Sequence, residues 1–278
     1  MPEQPPAHTD RRRAESFGAA ADAYDRHRPR YPRPLIAGLI DRAGIRALDV
    51  GAGTGIAAMQ LAEAGADVLA LEPDPRMARV AAAKDIRVEQ VTFEEWRPAG
   101  RDFDLVVFAQ SFHWVDPVPA LEKAAAILRP GGRLALLANR ILPTAPTQQE
   151  LDEINADYLD VTARSIVNAE DEVAVMVEEC GFSVERRGCV ERLHYTTEDY
   201  LNLVSTYSNR LLLDPPAQAE LRSRLARRIG SAGVNAQNDA LAVVCTPTAA
   251  AGQGCLAHAA RGILGCPSIQ PFGRGASS

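Results

Sequence analysis

Apolar residues recur along this chain in two alternating rhythms. Short apolar runs bounded by turn signals occupy Arg46–Val50, Asp67–Leu71, Ile86–Gln90, Phe103–Ala109 and Arg133–Ala138, and each predicts a buried strand. Between them, Ile56–Ala64, Pro75–Ala83 and Val118–Leu128 carry apolar residues at helical spacing. Strand and helix in alternation imply an α/β fold, a doubly wound and mostly parallel sheet. Two further helices are expected upstream, at Glu15–Asp25 and Leu35–Ala43. The prolines of His27-Arg28-Pro29-Arg30-Tyr31-Pro32 forbid their fusion into one. Arg129-Pro130-Gly131-Gly132 breaks the chain before the fifth strand.

Beyond Ala138 the rhythm changes. Asn139–Thr147, with Pro143 and Pro146, reads as a loop. Glu150–Leu159, Asp171–Cys180, Thr197–Asn209 and Pro216–Ile229 have helical spacing, and Glu185–Tyr195 has strand character. The chain thus adds helices after its α/β core.

The densest chemical signal lies where the first strand meets its helix: Leu48-Asp49-Val50-Gly51-Ala52-Gly53-Thr54-Gly55. Glycines at alternate positions serve backbone turns with positive φ and close approach by a ligand. A strand feeding a helix through such a turn places free N–H groups beside whatever binds there. At the end of the second strand Glu72 is placed to accept hydrogen bonds from a ribose diol. The glycine pattern here is G-x-G-x-G, with Ile56 standing where a dinucleotide fold would carry its later glycine. Asp49 adds a carboxylate that would repel a pyrophosphate and suits a cationic ligand. A NAD(P) oxidoreductase is the disfavoured alternative.

On these residues the loop resembles motif I of class I S-adenosylmethionine (SAM)-dependent methyltransferases. The resemblance implies their Rossmann-like fold, with SAM as cofactor and Glu72 as ribose ligand. Arg129–Gly132 resembles the turn common before their fifth strand. The run Phe17-x6-Tyr24-Asp25-x2-Arg28-Pro29-x-Tyr31-Pro32 looks like a lid of the same family. His113-Trp114-x-Asp116 resembles bacterial and fungal small-molecule enzymes of the type 11 and trans-aconitate methyltransferase-like groups. The resemblance spans residues 15–229, with a cofactor core at 46–139.

The family assigns roles residue by residue. Asp49, Gly51, Gly53 and Gly55 would form the methionine side of the pocket, and Tyr24 and Arg28 would close over the cofactor carboxylate. In the loop after the third strand, Thr92 stands where an acidic adenine ligand is usual, leaving Phe93 or Glu94 to take that part. Gln110 and His113 follow the fourth strand beside the transferred methyl. His113 is the candidate general base; the competing reading makes it a wall packed on Trp114. The amino-group-aligning [ND]-P-P-[YF] element is missing, which favours an oxygen acceptor on a small molecule.

Composition narrows partners and place. A net charge of −6 argues against a large nucleic-acid footprint. No apolar run approaches the ~20 residues that span a bilayer, so no membrane role is expected. Five cysteines without a C-x-x-C pair suggest neither a disulfide framework nor a metal site, and a cytoplasmic location follows as the default. Residues 1–14 are expected to be disordered.

From Gly230 the composition shifts: one acid (Asp239), two arginines and no lysine remain. Only Leu241–Thr246 looks like a strand there. Residues 230–278 are therefore expected to be an atypical, disordered tail, and a frame shift near Ile229 would explain the loss of the family's last strand. A sheet short of a strand would be less stable, and Thr92 together with this tail leaves a degenerate, non-catalytic SAM-binding protein as the alternative to an active enzyme.

Overall fold

A computed structural model describes residues 16–161 and 166–249. Its centre is a seven-stranded sheet in the order β3-β2-β1-β4-β5-β7-β6. The strands are β1 (Arg46–Val50), β2 (Asp67–Leu71), β3 (Arg87–Glu89), β4 (Phe103–Ala109), β5 (Leu128–Ala145), β6 (Phe182–Tyr195) and β7 (Val234–Pro247). β1 to β5 pair in parallel; β7 runs antiparallel between β5 and β6. The predicted α/β class is the observed one.

Ten helices flank the sheet among the described residues: α1 (Ala21–His27), α2 (Arg33–Ala37), α3 (Ile56–Glu63), α4 (Pro75–Ala82), α5 (Pro117–Ile127), α6 (Gln148–Asn155), α7 (Ile166–Glu179), α8 (Thr197–Ser205), α9 (Ser208–Leu211) and α10 (Pro215–Ile229). Local chemistry sets their starts. Asp74 accepts from the N–H groups of Arg76 and Met77 at the head of α4, with Pro75 in its first turn. Thr147 and Glu150 close a capping box on α6.

The central strands are buried on both faces, as a parallel sheet covered by helices requires. On one face Leu48, Val50, Leu71, Val106 and Phe108 pack against Leu121 and Ala124 of α5 and Val177 of α7. On the other, Ala47, Ala70, Leu105 and Val107 meet Leu35 and Ile36 of α2 and Ala57 and Leu61 of α3. A third core joins Leu151, Tyr200, Leu201, Leu221 and Leu225 in a cap built by α6, α8 and α10.

Two strands correct the sequence reading. The expected loop at 139–147 is the upper half of β5, which continues to Ala145. β4 leaves the ladder at Ala109, opposite Leu137, so beyond that level only β7 flanks β5. Pro143 sits there, where a missing N–H on an open edge is tolerated.

The second correction concerns the C-terminal part. Val234–Pro247 is a full strand inserted between two partners, not the start of a disordered tail. A frame shift near Ile229 would have replaced this strand, and the sheet is not short of one. The buried face of its first half is built largely from Ala236, Asn238, Ala240 and Ala242, which carry little intrinsic strand signal. Pairing on both sides supplies what propensity does not. The folded region therefore extends past residue 229. The disorder expected at 1–14 and beyond Ala249 lies outside the described residues.

Candidate active site

β1 delivers Asp49 to the carboxyl-end half of the central parallel strands. The side chain is fully buried, and neither carboxylate oxygen has a hydrogen-bond partner. Burial pushes its pKa up to about 7, aided by the nearby charge of Glu72; the N–H of Ala58 opposes this from outside hydrogen-bonding geometry. An unpaired buried carboxylate is costly unless something cationic meets it.

The loop above it needs its glycines for different reasons. Gly51, Gly53 and Gly55 have φ of 65°, 58° and 80°. A Cβ on Gly51 would stand 2.7 Å from Cβ of Ser111, whereas one on Gly53 would meet nothing within 4 Å. Gly53 thus faces an open cradle. Gly55 begins α3 in the left-handed region, and a Cβ there would stand 3.0 Å from Cβ of Ala81.

Glu72, at the end of β2, holds the loop from beside. Its Oε2 accepts from the N–H of Gly53 at 2.7 Å, and its Oε1 from that of Asp74 at 2.9 Å. Burial raises its pKa, the two N–H groups pull it back, and the charge of Asp74 adds to the rise. Each oxygen keeps a second lone pair for a hydroxyl donor.

The loop after β3 divides its residues differently from the expectation. Phe93 is 3% exposed, stacks on Trp96 and meets Phe108 edge-on, so its ring belongs to the core and not to a pocket wall. Glu94 is exposed. Thr92 accepts from the N–H of Glu95 and so turns the loop. Lys123 of α5 secures it, donating to the carbonyls of Phe93, Glu94 and Trp96. Nothing in the sequence around Lys123 marked that role.

After β4 the backbone turns sharply. Gln110 has φ of 55°, an uncommon conformation for a residue with a side chain, and its amide donates to the carbonyl of Asn139. Ser111 donates to the carbonyl of Val50, tying this turn to β1. His113 is exposed and its ring lies 4.6 Å from that of Trp114.

The N-terminal segment reaches across these parts. Phe17 meets Tyr24 at 5.7 Å and Trp114 at 6.1 Å, both edge-on, and Gly18 packs against the side chains of Asp74 and Arg76. Lys84 joins this lid to the glycine loop: its ammonium pairs with Asp25 of α1 and donates to the carbonyl of Thr54 at 2.8 Å. Arg28 turns toward the cap. Its Nε and Nη2 donate to the hydroxyl and carbonyl of Thr206, and its guanidinium lies between the rings of Tyr24 and Tyr207. The expected partner was a ligand carboxylate; the observed one is Thr206, just past α8. Among the described residues no cluster of His, Cys, Asp and Glu could hold a metal ion. No described helix is long and apolar enough to cross a membrane.

A family model for a methyltransferase domain matches residues 24–187, from the lid to β6. The chain belongs to this methyltransferase family. An uncharacterized methyltransferase of Mycobacterium tuberculosis is 43% identical over 141 residues, covering 50% of this chain and 58% of that protein. The chain thus spans little more than half the length of that relative. A demethylmenaquinone methyltransferase of Tropheryma whipplei is 30% identical over 164 residues, covering 50% of this chain and 67% of its own. A solved structure of a putative type II methyltransferase from Anaeromyxobacter dehalogenans shares the fold, with a TM-score of 0.55 at 22% identity over 79% of this chain and 97% of that one. The class I SAM-dependent methyltransferase resemblance is thus met in family and in fold. In this methyltransferase the glycine loop and Glu72 meet through Gly53, with Asp49 buried within electrostatic reach of Glu72, and Phe93 is withdrawn into the core.

Proposed function

We propose that this methyltransferase binds SAM under the lid and directs its methyl group to an oxygen atom of a small-molecule acceptor. The observation that carries the reading is the buried, unpaired carboxylate of Asp49 beneath the open cradle at Gly53. That arrangement suits the ammonium and backbone-hugging shape of an amino-acid moiety. SAM, when bound, supplies a sulfonium whose methyl carbon is already activated. What remains for the chain is to bind, orient and exclude water.

Asp49 would receive the ammonium, and Glu72 the ribose hydroxyls through its free lone pairs. The exposed Glu94 and the backbone of the loop that Lys123 secures would face the adenine. Tyr24 and Trp114, joined by Phe17, would wall the reacting carbon from water. The absent amino-group element supports oxygen as acceptor, and the name of the Tropheryma relative supports a small molecule.

Glu72→Ala is expected to weaken SAM binding about tenfold or more, the loss of one or more charged hydrogen bonds of roughly 1.5–3 kcal/mol each. Calorimetry with unchanged affinity would remove Glu72 from the ribose site. Conversion of SAM to S-adenosylhomocysteine with a panel of carboxylic acids and phenols tests the transfer itself. Binding without turnover across the panel supports the non-catalytic alternative.

We place His113 in the acceptor-side wall, on its tilted ring contact with Trp114. His113→Gln should then raise the acceptor KM and leave kcat within a few-fold. A general base would instead cost kcat about a hundredfold or more.

A further inference from the structure

Between α1 and α2 the strap Pro29–Tyr31 has no regular secondary structure. Pro29 and Pro32 keep it out of a helix, so its backbone groups must find partners elsewhere. Buried amide side chains provide them. Gln60 of α3 accepts from the N–H of Tyr31 at 2.9 Å and donates to its carbonyl at 2.8 Å. Asn139 of β5 donates to the carbonyls of Pro29 and Arg30 at 3.3 and 3.2 Å. Its own main-chain oxygen accepts from Gln110. One residue thus joins the strap to the turn after β4.

Asn139 works only one way round. An amide is symmetric in shape but not in polarity, and rotated by half a turn it would aim its oxygen at two carbonyls. Asn238 of β7 completes the arrangement by donating its Nδ2–H to Oδ1 of Asn139 at 3.1 Å, the oxygen that the two carbonyls turn toward it. Asn238 is 1% exposed, and its own Oδ1 has no partner. Leaving a buried polar atom unpaired is costly. Its neighbours on that face of β7, Ala236, Ala240 and Ala242, show that an apolar residue would suit the packing. What the asparagine supplies here is the donor that Oδ1 of Asn139 needs.

We propose that Asn238 is a positioning residue for the SAM site, acting through Asn139 to hold the strap that carries Tyr31. Gln60 lies on α3, which begins at Gly55 of the glycine loop, and Asn139 meets Gln110, so a shifted strap is felt at both the glycine loop and the turn after β4. The functional half of this assignment rests on the SAM reading; the structural half does not.

The test uses the full chain and three variants. Asn238→Asp keeps the shape and removes the donor, Asn238→Ala removes both, and Asn238→Ser leaves a hydroxyl too short to reach Asn139. In Asp and Ala, hydrogen exchange at the Tyr31 amide should rise about tenfold while β1 stays protected. SAM affinity should fall about tenfold with kcat at saturating SAM within twofold. Ser should follow Ala in both. Unchanged exchange at the strap in Asp and Ala overturns the proposal, as does weakened binding without a change there. If Asp does not fold, the Ala and Ser pair gives the same decision. Wild-type protein that fails to bind SAM overturns the cofactor reading and the functional half with it, while strap exchange still decides the link between Asn238 and Tyr31.

Discussion

Asp49→Asn is expected to raise the melting temperature at pH 8 and to lower SAM affinity about a hundredfold. Both effects come from one buried carboxyl. Its pKa of about 7 in the folded chain, against an ordinary 3.8, means that the folded state holds the proton more tightly than the unfolded state does. The stability this gives is fully present below about pH 4. It falls as pH rises toward 7 and is gone above it. At pH 8 the wild type has lost up to about 4 kcal/mol in this way, roughly 1.4 kcal/mol per pKa unit. Asparagine carries no charge to bury, though its amide atoms go unpaired at a cost of about 1–3 kcal/mol. The net gain is up to about 1–3 kcal/mol, several degrees in Tm, present at pH 8 and absent or reversed at pH 4. For binding, the missing charge removes one or two charged hydrogen bonds, hence about a hundredfold. Wild-type affinity should also weaken about tenfold per pH unit below 7, because the carboxyl must first lose its proton; the variant should be flat there. Thermal melts and calorimetry at several pH values check this. A variant less stable than wild type at pH 8, or one with wild-type affinity, contradicts it.

The residues that create this conflict were the most legible in the chain. β1, β2 and β4 begin and end where apolar runs and turn signals place them, because central parallel strands are buried on both faces and advertise it. The glycine spacing and Glu72 are local, since they lie within one βαβ unit. The parts assembled from afar were not legible. Phe93 gives the same signal in sequence whether its ring enters the core or lines a pocket. Arg28 meets Thr206 across 178 positions of sequence, and Asn139 meets Asn238 across 99. No periodicity encodes either pair. Only the second half of β7, Leu241–Thr246, was legible; the alanines and amides of its first half look like a linker until two neighbouring strands are supplied.

Gly51→Ala and Gly53→Ala are expected to fail for different reasons, and the contrast tests where the cofactor lies. Both positions have positive φ, and forcing an alanine into that region costs roughly 1–2 kcal/mol. At Gly51 the new methyl also overlaps Ser111, whose Cβ would stand 2.7 Å away. Ser111 cannot retreat without breaking its hydrogen bond to the carbonyl of Val50. Overpacking of this kind adds about 1–3 kcal/mol, so Gly51→Ala should lose about 2–5 kcal/mol of stability in denaturant titrations. At Gly53 no protein atom lies within 4 Å of the new methyl, so the stability loss stops at the backbone term. The methyl instead projects into the cradle. A ligand pressed against that backbone must shift, and about 1–3 kcal/mol of overlap lowers SAM affinity roughly ten- to a hundredfold. Gly53→Ala should therefore be a well-folded protein that binds SAM poorly. If it binds SAM as the wild type does, the cradle at Gly53 is not where the cofactor packs, and Asp49 must be neutralised by something else.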